Sequence, residues 1–369
     1  MGRTARSRRL LTLGVAALVT SMPIPALASN EEATCDPATR VVAPDPSSAP
    51  SAMGPRGHAV VFEPLPGTTG YGLILHRPDG SIAYIVDPEI DDELSTASDV
   101  NARGAVVGAQ RVWGDGTFDF VPWMYRDGQV EHLATSGRAA ASDRVDYLTS
   151  AINRRGAVLG VKTNTYRGFS PDDVGYVARP VWWSEHTAEP IVLKLPKGAY
   201  VHERYPDPLL DFMADGSVSA VVVDGAHRYL AHWADSSSAP DLVRLRDAWA
   251  PEEIAGGWIV GDIAGDPGRV FVRSSSEALV MKLEEPVGAL DVSPNGVAAL
   301  YGPVGSNNPS MYVADRTEAR FVGDSMWVDD MSASFSTQLL THSSIGSAVV
   351  TCAMNLPLAP EVTVRSIDL

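Results

Sequence analysis

The sequence predicts an all-β fold, a six-bladed β-propeller of four-stranded blades, on three observations. The first is a ten-residue phrase, Asp99-Val100-Asn101-Ala102-Arg103-Gly104-Ala105-Val106-Val107-Gly108, which returns as Ala151-Ile152-Asn153-Arg154-Arg155-Gly156-Ala157-Val158-Leu159-Gly160. Shorter copies follow around Gly216, Gly257, Gly296 and Gly346. The second is spacing: the six turn glycines are 52, 60, 41, 39 and 50 residues apart, a forty-odd-residue unit with insertions. The third is that each clear unit holds two hairpins. After the phrase, Phe120-Val121-Pro122-Trp123-Met124-Tyr125 turns at Arg126-Asp127-Gly128 into a second short run, and Arg179-Pro180-Val181-Trp182-Trp183 repeats the pattern. Polar turns closing on Gly, followed by four to six small or β-branched residues, are hairpins leading into buried strands.

Residues 1–28 read as an export signal. Arg3, Arg6, Arg8 and Arg9 form a basic start, 10–20 is a short apolar run, and Ala26-Leu27-Ala28 offers a cleavage site. Ser7-Arg8-Arg9-Leu10-Leu11 fits a twin-arginine signal as well as an ordinary one, so both export routes stay open. The expected location is secreted. Cleavage removes four arginines and no acid, leaving 25 basic against 45 acidic residues, a balance of −20. Such a surface repels nucleic acid and anionic lipid, and no later stretch is long and apolar enough to span a bilayer as a helix.

Residues 29–57 read as a Pro-rich extended leader, and 58–369 as the propeller domain. Cys35 and Cys352 are the two cysteines, one near each end, and an exported chain with two cysteines is expected to pair them. With no Cys-x-x-Cys and no metal-ligand spacing among the eight histidines, neither a cofactor nor a metal is expected. The hairpin over 71–75 and 82–86 supplies only the outer half of a blade, and the last copy, near Gly346, only an inner half. Joined, they predict a closing blade shared by the two ends of the chain, which leaves no bare sheet edge.

The phrase Asn-x-x-Gly-x-Val-Val/Leu-Gly, followed by a strand ending in aromatic residues, resembles the bacterial extracellular HAF repeat. The likeness is good over about 95–195, with 121–125 and 179–183 in the place of that family's His-Ala-Phe-Leu-Trp, although the His-Ala-Phe letters are missing. The resemblance implies a propeller-type fold and a secreted location, and no reaction.

Turns within each hairpin are tight, whereas the connections between strands two and three, and between blades, are long. Both long classes emerge on one face of a propeller, so the candidate ligand-binding residues are those of the long loops. These are Trp113, Asp115, Tyr166, Asp172, Tyr200, His202, Arg204, Tyr205, Trp249, Trp327 and Asp329. Rings beside carboxylates and guanidinium groups suit a glycan, by stacking and hydroxyl bonding, and equally a partner protein. No nucleophile elbow, phosphate loop or His-Glu-x-x-His appears, so no catalytic residue is assigned. The expectation is a secreted binding module for a glycan or a partner protein, within a larger extracellular assembly. The alternative is a propeller glycoside hydrolase or lyase using loop carboxylates such as Asp115, Asp172, Asp329 or Asp330.

Overall fold

The computed structural model describes residues 38–43, 47–67, 69–86, 96–114, 117–135, 143–166, 177–204, 207–266, 268–282, 287–302, 310–314, 319–324, 327–333, 337–343, 346–352 and 363–366. Every regular element among the described residues is a strand, and the strands form successive antiparallel sheets built on the expected four-stranded pattern. Seven blade sheets stand among the described residues, five of four strands and two that carry a fifth, beside a two-stranded ribbon. Blade 1 runs Ala49–Gly54, His58–Pro64, Tyr71–His76 and Ile82–Ile85, each strand paired with the next. Blade 2 runs Ala97–Val100, Val106–Gly114, Thr117–Arg126 and Gln129–His132. Blade 3 runs Asp143–Ile152, Val158–Tyr166, Val177–Trp183 and Ile191–Val192. Blades 4, 5 and 6 begin at Leu210–Phe212, Trp249–Ala255 and Gly288–Val292. Blade 7 runs Trp327–Ala333, Thr337–Ser343 and Gly346–Cys352, and takes its outer strand, Ala38–Ala43, from the start of the chain.

The first strands of consecutive blades lie side by side, and that of blade 7 lies beside that of blade 1, so the wheel closes. The closing blade is shared by the two ends, as expected, but through a different segment. Ala38 lies opposite Thr351 and Ala43 opposite Ser347, whereas 71–86 belongs to blade 1. The blade count is accordingly corrected from six to seven. The segment 29–57, read as an extended leader, holds the first strand and the turn of the inner hairpin of blade 1, which closes at Gly54-Pro55-Arg56-Gly57 with positive φ at Arg56 (124°) and Gly57 (77°). The prolines of that hairpin sit where a ladder N–H is dispensable: Pro55 in the turn, Pro50 beside a bulge in the edge strand, and Pro64 at a strand end. Gly346 opens a third strand rather than closing a first hairpin. Cys352 ends that strand, and Cys35, its expected disulfide partner, lies outside the described residues.

Blades stack face to face, so their middle strands are buried on both sides and read as unbroken apolar runs. Val218–Asp224 is buried at every position but the last. Leu75, Ile85, Val106 and Trp123 join blades 1 and 2, while Val107, Ile152 and Trp183 join blades 2 and 3. Tryptophans at the ends of the third strands of blades 3 and 4 fasten each of these blades to the one before it. Trp183 Nε1 donates to the Ala134 carbonyl at 2.7 Å, and Trp233 Nε1 to the Lys194 carbonyl at 2.8 Å. Trp183→Phe keeps an aromatic ring but leaves a small void at a fully buried site and removes the donor to that carbonyl, and it is expected to cost about 2 kcal/mol in urea denaturation.

The innermost strands share no backbone ladder with their neighbours, so side chains at their bulges must meet exposed backbone groups. Ser51 Oγ bonds both the N–H and the carbonyl of Ala97 at 2.9 Å. Asp99 Oδ2 accepts from Ile152 N at 2.7 Å, bridging blades 2 and 3. Ser150 Oγ donates to the Leu210 carbonyl, and Asp211 Oδ2 accepts from Gly256 N at 2.6 Å, bridging blades 4 and 5.

Candidate functional site

A groove with a volume of about 460 Å³ opens where the hairpin turns of blades 1, 2 and 3 meet. Arg77 comes from the outer turn of blade 1, Arg103 and Arg126 from the two turns of blade 2, and Arg154 and Arg155 from the inner turn of blade 3. The local sequence fixes these positions. Asn101 Oδ1 accepts from the N–H groups of Arg103 and Ala105 at 3.0 and 3.1 Å. Asn153 Oδ1 does the same for Arg155 and Ala157 at 2.9 and 3.0 Å. Each is an Asx-type turn locked by its own side chain. Asn101 Nδ2 then donates to the Asn153 carbonyl at 3.0 Å, which ties one arginine-bearing turn to the next.

The groove is strongly basic for a chain whose formal balance is −16. Arg103, Arg154 and Arg155 are exposed. Arg126 reaches Glu131 at 3.5 Å and Asp127 at 3.8 Å, and Arg77 Nη1 reaches Ser81 Oγ at 3.5 Å. Asp127, 93% exposed, is the single acid of the lining. Tyr125 is 4% exposed and presents no ring face to a ligand. Five guanidinium groups around one groove can bind oxyanions through paired N–H donors.

This groove lies on the face of the tight turns, opposite the one the sequence favours. The strand directions do bring Trp113, Tyr166, Trp249 and Trp327 to the long-connection face, at the outer end of second strands or the start of first strands. Trp249 is core, however: it is 3% exposed, and its ring stacks on Phe271 at 4.5 Å between centroids, with Arg246 and Arg273 over it at 5.4 and 5.6 Å. It is corrected from ligand-binding residue to packing residue. Tyr200 is half-buried in a short strand on the inner edge of blade 4. His202 is half-buried, with its N–H donated to the Val221 carbonyl at 2.7 Å. Burial, then the charge of Arg228, holds its imidazole below the usual range, so it is neutral at pH 7. Arg204 lies in a two-residue strand, and Asp329 and Asp330 in the first strand of blade 7 at its bulge. Asp115, Asp172 and Tyr205 lie outside the described residues. No group of three or more His, Cys, Asp or Glu side chains among the described residues is placed to hold a metal ion.

The inner wall carries the most perturbed carboxylates. Burial, reinforced by the charge of Asp211, pushes Asp99 up to about 7 despite its two backbone N–H donors. Burial pushes Asp211 up to about 6. Both are occupied in bridging blades, which makes them structural rather than catalytic in placement.

No protein-family model matches the chain, and no curated protein does. Among solved structures, the chain is similar to a protein described as a gluconolactonase (9% identity over 90% of this chain and 95% of the other, TM-score 0.39). It is similar to the acylaminoacyl peptidase of Pyrococcus horikoshii (13% identity, 80% of this chain, TM-score 0.46), of which it spans about half, 49%. It is also similar to YCF48 from Cyanidioschyzon merolae (11% identity, 85% of this chain and 98% of the other, TM-score 0.43). Identities this low extend to the outline of the fold alone.

Proposed function

We propose that the protein is a secreted β-propeller that works as a binding module, holding a partner protein against the tight-turn face. The observation that carries this reading is the groove across blades 1 to 3, lined by five arginines on hairpin turns, two of which are bonded to each other. Rigid β-scaffolds present binding residues on connecting segments, and a preorganised turn loses little entropy when it is occupied. Arginine is also among the commonest anchors of protein interfaces. A glycan is the less favoured ligand there, because the groove offers no exposed ring for a sugar face.

The test is capture from the secreted fraction with tagged mature chain, alongside an Arg103→Gln, Arg154→Gln, Arg155→Gln triple variant. The expected outcome is a secreted protein recovered with the parent chain and lost with the variant. Equal recovery by both, or recovery by neither, would overturn the placement of the binding surface. Release of reducing sugar from an extracellular polysaccharide would favour the hydrolase reading instead.

A further inference from the structure

We infer that the groove recognises an acidic peptide segment, through at least two carboxylates spaced along an extended chain. The inference rests on the partner-binding reading and names the chemistry of that same site. Its first support is a local reversal of charge. The whole chain is acidic, yet five arginines and one acid, Asp127, line this cavity. Like charges gathered on four neighbouring turns repel one another and stabilise nothing by themselves, whereas an anion between them relieves the repulsion.

The second support is availability. Arg103, Arg154 and Arg155 are exposed, and none of the three forms an ion pair among the described residues. Arg126 is held at long range by Glu131 and Asp127, at 3.5 and 3.8 Å, distances that leave its fork free to rotate toward a better acceptor.

The third support decides the ligand class. A sugar or a nucleobase is held by an aromatic face, and the lining tyrosine is buried. What the groove presents beside the guanidinium groups is turn backbone: Gly104, Gly128 and Gly156 line it, and a Cβ at Gly128 or Gly156 would touch nothing within 4 Å. A peptide main chain can lie against such a surface while its carboxylates reach the forks on either side. The cavity holds a short segment, and the acidic balance of the remaining surface disfavours a long polyanion that would run beyond the basic turns.

The experiment is fluorescence anisotropy on the mature chain with three labelled probes: a hexaglutamate peptide, a hexaglutamine peptide and a heparin hexasaccharide. The expected result is that hexaglutamate binds the parent chain, weakens steeply between 50 and 300 mM salt, and binds the R103Q/R154Q/R155Q variant at least tenfold more weakly. Exposed turn positions whose backbone bonds come from Asn101 and Asn153 should leave the melting temperature of that variant unchanged, and that is measured alongside. Equal binding of the glutamine peptide would overturn the charge requirement and leave the partner-binding reading standing. Tighter binding of the heparin fragment would overturn the peptide class in favour of a sulfated glycan. Undiminished hexaglutamate binding by the variant, or none by the parent, would overturn the inference. The capture experiment would then show separately whether a partner is held at all.

Discussion

Raising the pH from 5 to 8 is expected to lower the stability of the mature chain by about 4 kcal/mol through two buried carboxylates alone. The cause is in the inner wall of the wheel. Asp99 and Asp211 accept backbone N–H bonds across blade junctions, and burial raises their folded-state values to about 7 and about 6, from 3.8. A carboxyl that holds its proton longer in the folded state than in the unfolded one favours folding at low pH. That advantage is complete below the unfolded value and disappears as the pH rises through the folded one. Stability therefore falls from about pH 4 upward and levels off above pH 7. His202 acts in the opposite sense: its depressed value removes stability as the pH falls below the ordinary imidazole range. The Asp99→Asn, Asp211→Asn double variant isolates the carboxylates from it. An amide accepts through one oxygen only, so the variant is expected to be less stable overall, yet with most of the downward slope between pH 5 and 8 removed. Urea midpoints across that range read the difference. An unchanged slope in the double variant would remove the carboxylates from the account.

The parts of the fold that were legible in the sequence are those where a local constraint writes itself into letters. Asn101 to Gly108 and Asn153 to Gly160 announce the turn, the bulge partner and the buried strand in one phrase, because all three demand particular residue types. Blade 1 escaped because its inner hairpin contains Pro50, Pro55 and Pro64, which resemble a leader in composition while occupying turn, bulge and strand-end positions. The closing principle was legible, since a wheel cannot leave an edge bare, but the choice of Ala38–Ala43 was not. A lone outer strand carries no hairpin to mark it. The groove was present in the letters as Arg77, Arg103, Arg126, Arg154 and Arg155, one or two in each of four turns. Read singly, each is an ordinary solvated turn residue. Only the stacking of blades, with the Asn101–Asn153 bond, brings them to one place. Trp249 failed in the other direction. It follows a charged turn, as a loop aromatic would, yet as the first residue of an inner strand it is drawn under Phe271.

Gly160→Ala is expected to cost about 3 kcal/mol or more and to reduce soluble yield sharply, whereas Gly156→Ala, four residues away in the same phrase, should cost about 1–2 kcal/mol. The two glycines solve different problems. Gly156 sits in the turn at φ 93°, with nothing within 4 Å of an added Cβ, so alanine there meets only the backbone penalty of a left-handed residue. Gly160 lies in the second strand under the bulge between Thr149 and Ala151, and its added Cβ would collide with the carbonyl oxygen of Leu148 and crowd Thr149 Cα at 3.1 Å. Both obstacles are backbone, so no rotamer change relieves them and the inner strand itself must shift. The same collision recurs at Gly108 with the Thr96 carbonyl and at Gly261 with that of Ala250. The inner strand is also the one that carries Ser150 and its bond to the Leu210 carbonyl of blade 4, so displacing it loosens a blade junction as well as a ladder. Denaturation midpoints of G156A, G160A and G261A order the two effects. A G160A midpoint no lower than that of G156A would mean that the bulge can move, and that the terminal glycine of the phrase is not there to admit the inner strand.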